Sequence, residues 1–207
     1  MNPKKDYNRI LAQKTIEAFS ERNITGYYCE TAAEAKEKAL SLIPAESTVS
    51  CGGSETLKQT GMIEALRDGD YRFFDPHAAM GAMEKNNVAH AALSVDYFFM
   101  SANAISSDGE LVNIDGYGNR VSAMIFGPSH VIVIAGMNKV TNDLNSAINR
   151  AKHIAAPKTL LLFRQDYPSF NELDTQAERG SNHLVVTTGS AVKDRMIVIL
   201  VDEELGF

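Results

Sequence analysis

An α/β fold with a mostly parallel sheet sandwiched by helices is what the 207-residue sequence predicts. Three observations carry the prediction. Strand-like runs alternate with amphipathic helical runs, which is the order of βαβ units. Runs such as "HVIVIAG" and "RMIVILV" are apolar without a break, as strands covered on both faces are. Apolar residues make up 44% of the chain, enough to fill one core, so a single domain over 1–207 is expected.

The elements follow in order. "YNRILAQKTIEAFSERN" places Ile10, Leu11, Ile16, Ala18 and Phe19 on roughly one helical face. "ITGYYCE" is short, aromatic and β-prone. "TAAEAKEKALSLIP" is a helix with Thr31 as N-cap, Glu34 as its capping-box partner and Pro44 as a stop. "STVSC" reads as a strand, "GGSETLKQTGMIEALRDGD" turns helical after its glycines, and "YRFFD" is a further strand. "PHAAMGAMEKNNVAHAALSVD" is helical in part. "YFFMSANAIS" reads as one strand buried on both faces, with "GELVNIDG" as its hairpin partner or near neighbour. "NRVSAMIFG" is a short helix, "HVIVIAG" a buried strand, and "TNDLNSAINRAKHIAAP" a capped helix expected to end before Pro157. "HLVVTTG" and "RMIVILV" close the chain as strands. Residues 163–182 lack pattern and read as an irregular, polar, exposed excursion.

A net charge of -6 argues against nucleic acid or an anionic membrane as the main partner. The opening "MNPKKDYNRI" has no apolar h-region, and no apolar run is long enough to span a bilayer, so a cytoplasmic location is expected. Cys29 and Cys51 are too few for a four-thiolate cluster, and buried free thiols are the plain reading. None of the five histidines pairs at a ligand spacing, so no metal site is expected, the Asp75–His77 pair being the faintest of leads. There is no G-x-S-x-G elbow and no flavin or nicotinamide fingerprint, so the cofactor is unknown and a redox role would need a borrowed one. Tyr97, Phe98, Phe99, Phe73 and Phe74 read as strand aromatics of the core, and Met80 and Met83 as filler.

Three stretches carry candidate chemistry. In "SCGGSETL" a strand runs into Gly52, Gly53 and Ser54 and then a helix. This is either an anion cradle or a βα turn with Ser54 as N-cap. In the second, Asn103, Asp108, Glu110, Asn113, Asp115, Gly116, Gly118, Asn119 and Arg120 fall between apolar runs. Asp108-Gly109 alone is a hairpin signal, but "NIDGYGNR" holds more polar chemistry than a tight turn needs. A carboxylate there suits general acid/base work, and Arg120 suits a carboxylate or phosphate clamp. In "GMNKVTNDL", Lys139 follows a buried strand directly. It is a contact for an anion or a solvated lysine ahead of a helix.

"STVSCGGSETLKQTG", "YFFMSANAISSDGELVNIDGYGNRVSAMIFGPSHVIVIAGMNKV" and "VILVDEELGF" together resemble the LUD (lactate-utilisation) domain family, which includes domains of the lactate-utilisation B and C proteins. The resemblance covers nearly the whole chain in order. It implies a fold like that of glucosamine-6-phosphate deaminase, ribose-5-phosphate isomerase and the CoA transferases, and a bacterial cytoplasmic protein. It implies a context of L-lactate oxidation beside iron–sulfur partner proteins. By analogy with that fold, Gly52, Gly53 and Ser54 stand where a phosphate or CoA group is held, and Asp108 and Asp115 where acids move protons. One departure stands out. Short relatives carry a cysteine cluster after the position of "AAP", whereas residues 158–195 here hold no cysteine. The family often has an aromatic residue at Cys51, which raises a second reading of that thiol as reactive at a helix N-terminus.

The expectation is therefore a domain that binds a small anionic metabolite. Asp108, Asp115 and Arg120 are the catalytic candidates, and Gly52, Gly53, Ser54, Asn103, Asn113, Gly116, Gly118, Asn119 and Lys139 are the ligand-binding ones. Two rivals are a non-catalytic subunit docking on an iron–sulfur or flavin protein, with a surface around Met80 to Ala92, and a sugar-phosphate isomerase or CoA-dependent enzyme of the same fold.

Overall fold

The computed structural model describes residues 2–163 and 181–207. The excursion expected over 163–182 therefore lies almost wholly outside the described residues. Helix α1 (Pro3–Ser20) begins earlier than its apolar pattern, because Asn2 accepts the Lys5 N–H and Pro3 fits the first turn. Its buried stripe is Ala12, Thr15 and Phe19, with Leu11 and Ile16 beside it. Ile10, expected on that face, is 63% exposed. Nine residues at about 100° each turn it to the side opposite Phe19. Helix α2 (Ala32–Leu40) starts as its capping residues dictate, with Thr31 Oγ1 accepting the Glu34 N–H at 3.2 Å.

Strands β1 (Ile24–Cys29), β2 (Thr48–Cys51), β3 (Arg72–Phe74), β4 (Tyr97–Met100), β7 (His130–Gly136) and β10 (Met196–Val201) form one sheet in the order β1-β10-β7-β4-β2-β3. Every neighbouring pair in it is parallel. Alternate residues of β7 explain its unbroken apolar run. Val131, Val133 and Ala135 pack in one core cluster with Phe19, and Ile132 and Ile134 in the other. The second cluster is closed by α2 and by the short helices α3 (Glu55–Gln59) and α4 (Met62–Asp68) through Ala35, Ala39, Leu57, Met62 and Leu66.

The run "YFFMSANAIS" is not one strand. It leaves the main sheet after Met100 and resumes as β5 (Ala104–Ser106) in a second sheet. There β5 pairs antiparallel with β6 (Leu111–Asp115), which pairs antiparallel with β9 (His183–Thr187), while β8 (Val140–Thr141) lies parallel to β5. The break has a cause: the carbonyls of Ser101 and Asn103 accept from the guanidinium groups of Arg120 and Arg150. Those groups are therefore not spent on a neighbouring strand.

The helix expected to stop before Pro157 runs through it. Asp143 accepts the Ser146 N–H at 2.7 Å to start α7 (Leu144–Arg150). A π turn follows at Ala151–Ala155, then α8 (Ala156–Phe163). In the π turn the Ala156 N–H reaches back to the Ala151 carbonyl. That widening accommodates a ring that has no N–H and would crowd an α-helical turn. Helix α5 (Gly81–Ala91) buries none of its residues, and Met80 and Met83 are 82% and 80% exposed, so neither methionine fills a core. No helix among the described residues is long and apolar enough to cross a membrane.

Candidate functional site

A cleft of about 800 Å³ opens beyond the carboxyl ends of β2, β4 and β7, where ligands sit in parallel α/β sheets. Helix α6 (Asn119–Ile125), with the loop that leads into it, forms one wall, and α8 forms another. Of the residues expected from sequence, the walls include Gly53, Ser54, Asn103, Asp115, Gly116, Asn119, Arg120 and Lys139. Asp108, Gly52, Asn113 and Gly118 are not on them.

Asp108 is the clearest correction. It sits in the turn between β5 and β6, where its carboxylate lies 3.3 Å from Lys14 and its carbonyl accepts from Arg22 Nε at 2.7 Å. The turn packs on α1, since a Cβ at Gly109 would stand 3.0 Å from the Ala18 backbone. "SSDGEL" is thus a hairpin turn, remote from the cleft, and Asp108 is in no position to act as a base there.

Arg120 faces the cleft but is not a spare clamp. One terminal nitrogen donates to the Ser101 carbonyl at 3.1 Å and Asn113 Oδ1 at 3.2 Å. The other donates to Asn103 Oδ1 at 3.0 Å and the Ile114 carbonyl at 2.7 Å. Those four bonds use all four terminal N–H groups. Its Nε stands 3.7 Å from Asp115 Oδ2. Burial pulls the guanidinium pKa down, and the Asp115 charge opposes that pull. Asp115 in turn accepts the Gly118 N–H at 3.1 Å and the Val121 N–H at 3.2 Å, which anchors the first turn of α6. Gly52 is needed for this packing, because a Cβ there would come within 2.9 Å of the Arg120 side chain. Asn113, fully buried, serves the same network. The polar loop therefore builds a rigid wall, with its charges turned into the protein.

Ser54 behaves as an N-cap, its hydroxyl accepting the Leu57 N–H at 3.3 Å, while a Cβ at Gly53 would meet nothing within 4 Å. The glycine face of that turn thus stays open to the cleft. Cys51 is buried, and burial pushes its thiol up to about 12, which removes the reading of a reactive thiolate. Asp75 is taken up by Arg67 at 2.6 Å and by the His77 N–H at 2.8 Å, so it is not free to hold a metal.

Lys139 is the opposite of a solvated lysine. A 3₁₀ turn at Met137–Lys139 swings it off the end of β7, and it is 3% exposed. Its Nζ donates to Thr56 Oγ1 at 2.9 Å and Ser101 Oγ at 3.0 Å. Among the described residues no carboxylate lies within ion-pair distance of it. Burial, then the charges of Arg150 and Arg120, lower its pKa to about 7. The tail of the chain passes over this amine, where a Cβ at Gly206 would lie 3.1 Å from Nζ and 2.5 Å from Thr56 Oγ1.

Sequence reasoning missed Thr56, Ser101 and Arg150. Arg150 donates from Nε to the Asn138 carbonyl at 3.0 Å and so holds the turn that carries Lys139. A signal for it existed: Arg150 shares a helical face with the buried Ala147 and adjoins the buried Ala151.

The outer rim adds Lys58, paired with Glu55 at 2.6 Å, together with Lys85, His77 and Phe207. Four cationic side chains thus meet two carboxylates around the described cleft.

One solved structure shares this architecture. A crystal structure of a DUF162 family protein from Deinococcus radiodurans superposes with a TM-score of 0.54 at 10% identity, covering 94% of this chain and 97% of that one. A D-ribose-5-phosphate isomerase in complex with phospho-erythronic acid gives a TM-score of 0.37 at 14% identity, over 68% of this chain and 66% of that one. The delta subunit of eIF2B from Chaetomium thermophilum gives 0.34 at 16% identity, over 53% and 48%. No curated protein matches the sequence. The LUD domain family model matches residues 12–201, the whole of both sheets, and the chain belongs to the LUD domain family.

Proposed function

We propose that the cleft binds a small organic anion, in keeping with the lactate utilisation for which the family is named. The observation that carries this reading is Lys139: a buried amine at the cleft that lacks a carboxylate among the described residues. Such an amine takes up its charge only at a cost while no countercharge faces it, and an anionic ligand supplies that countercharge. Lys85 and Lys58 at the rim favour the same sign of ligand.

The test is a thermal-shift screen with L-lactate, pyruvate, other carboxylic acids, sugar phosphates and CoA esters, on the wild type and Lys139→Met. A ligand at about 100 times its Kd adds roughly 2.7 kcal/mol, and the variant is expected to lose that gain. Anions that stabilise both proteins equally would remove Lys139 from the site. If no anion stabilises the wild type, the better reading is the rival one, a subunit docking on an iron–sulfur or flavin protein. The observation favouring that rival is the exposure of Met80 and Met83 at the start of α5.

A further inference from the structure

Lys139 has a hydrogen-bond environment that a neutral amine satisfies in full. An ammonium carries three N–H donors and no acceptor, whereas a neutral amine carries two donors and a lone pair. Two acceptors face Nζ, the hydroxyl oxygens of Thr56 at 2.9 Å and Ser101 at 3.0 Å. Each hydroxyl directs its own proton away from the lysine. Thr56 donates to the Leu205 carbonyl at 3.3 Å, and Ser101 leans on the Ala102 carbonyl at 3.5 Å. Both oxygens therefore accept from Lys139, and the neutral amine fills both bonds with its lone pair left over. Among the described residues, the charged groups that act on the amine, Arg150 and Arg120, are both cations. They act with burial to favour the neutral form. Gly206 lets the tail pass this amine without a side chain crowding Nζ.

We infer that Lys139 is a nucleophilic amine that forms a Schiff base with the carbonyl carbon of a small keto acid held in the cleft. The inference rests on the anion-binding reading above and narrows it to acids that carry a ketone or aldehyde. The nitrogen lone pair attacks the carbonyl carbon, and the C=O electron pair moves to oxygen, which takes a proton. A second proton, drawn from solvent, lets that oxygen leave as water, and the N–H proton that stays on nitrogen makes the product a protonated imine. Amine, carbonyl and one proton therefore give protonated imine plus one water, with no oxidant or reductant consumed. Ser101, bonded to the same nitrogen, is placed to relay a proton between nitrogen and the departing oxygen. A desolvated lysine beside other cations is the arrangement that activates an amine for this step.

The test traps the imine by borohydride reduction. Wild-type protein is incubated with pyruvate, or with L-lactate as a control of the same charge and nearly the same size, then reduced and examined by intact mass and peptide mapping. The expected result is one adduct with pyruvate, of mass equal to the keto acid less one water plus two hydrogens. It maps to Lys139, is absent with lactate and is absent in Lys139→Arg. Mapping on the wild type keeps the test valid even where a variant folds poorly. Thermal shift by pyruvate and lactate without any adduct overturns the Schiff base and leaves anion binding intact. Neither shift nor adduct overturns both, and an adduct spread over surface lysines overturns the assignment to Lys139.

Discussion

Arg120 and Lys139 stand on the same cleft, both buried and both cationic residues, yet they are built to different ends. Arg120 has an acceptor for each terminal N–H and a carboxylate nearby. Lys139 has two hydroxyls, no carboxylate within reach among the described residues, and two cations for neighbours. A saturated buried cation holds a structure together, whereas an unsaturated one is a destabilised group awaiting a partner. The difference teaches where to look for function: at the buried amine for which the described residues hold no countercharge.

The comparison breaks first at Arg120. Arg120→Ala removes a donor from Asn103, Asn113 and two carbonyls, and takes the countercharge from Asp115. Urea unfolding is expected to show a loss of roughly 3 to 5 kcal/mol. A small loss would mean that the network is not the wall's support.

Lys139→Met is expected to have the opposite sign. The folded pKa near 7 lies below that of the unfolded chain. Between pH 7 and the ordinary lysine pKa of about 10.4, the unfolded state binds a proton that the folded state does not, so wild-type stability rises with pH there. Below pH 7 both states are charged and the penalty is fully present. The variant should therefore gain roughly 2 to 3 kcal/mol at pH 6, after allowance for water in the cleft. That gain should fade as pH climbs through the window. A pH-independent difference in denaturation midpoints would contradict the unpaired amine.

Asp108→Asn sharpens the contrast from outside the cleft. It removes one exposed ion pair with Lys14, so a change within about 1 kcal/mol and no change in ligand-induced thermal shift are expected.

The fold was legible where one physical term dominates. Unbroken apolar runs marked β7 and β10, and Thr31 marked a helix start, because burial and capping act locally. The site was half legible. The polar density of "NIDGYGNR" located the wall, but its residue types are the same for a clamp and for a scaffold, so Arg120 and Asp115 suggested chemistry where the fold uses them for support. What separates the two is a count of hydrogen-bond partners. Those partners come from Ser101, Asn103 and Asn113, whose positions depend on the strand break after Met100. Lys139 needed the same tertiary knowledge. Nothing beside it in "GMNKV" reveals that Thr56 and the Leu205–Gly206 tail close over it. Pro157 misled because a π turn absorbs its ring, and no local residue announces that turn.

The strand order has a consequence in time. Strand β1 lies at the edge of the main sheet, and its sheet neighbour is β10. Ile24 is registered against Met196, so nearly the entire chain separates two adjacent strands. On a translating ribosome, β1 emerges well before β10 and has no sheet neighbour to join until Met196–Val201 leaves the exit tunnel. Long-range parallel pairing of this kind is slow to form and leaves early segments unpaired while synthesis continues. Completion of the sheet thus waits on the synthesis of Met196–Val201, long after β1 has been made.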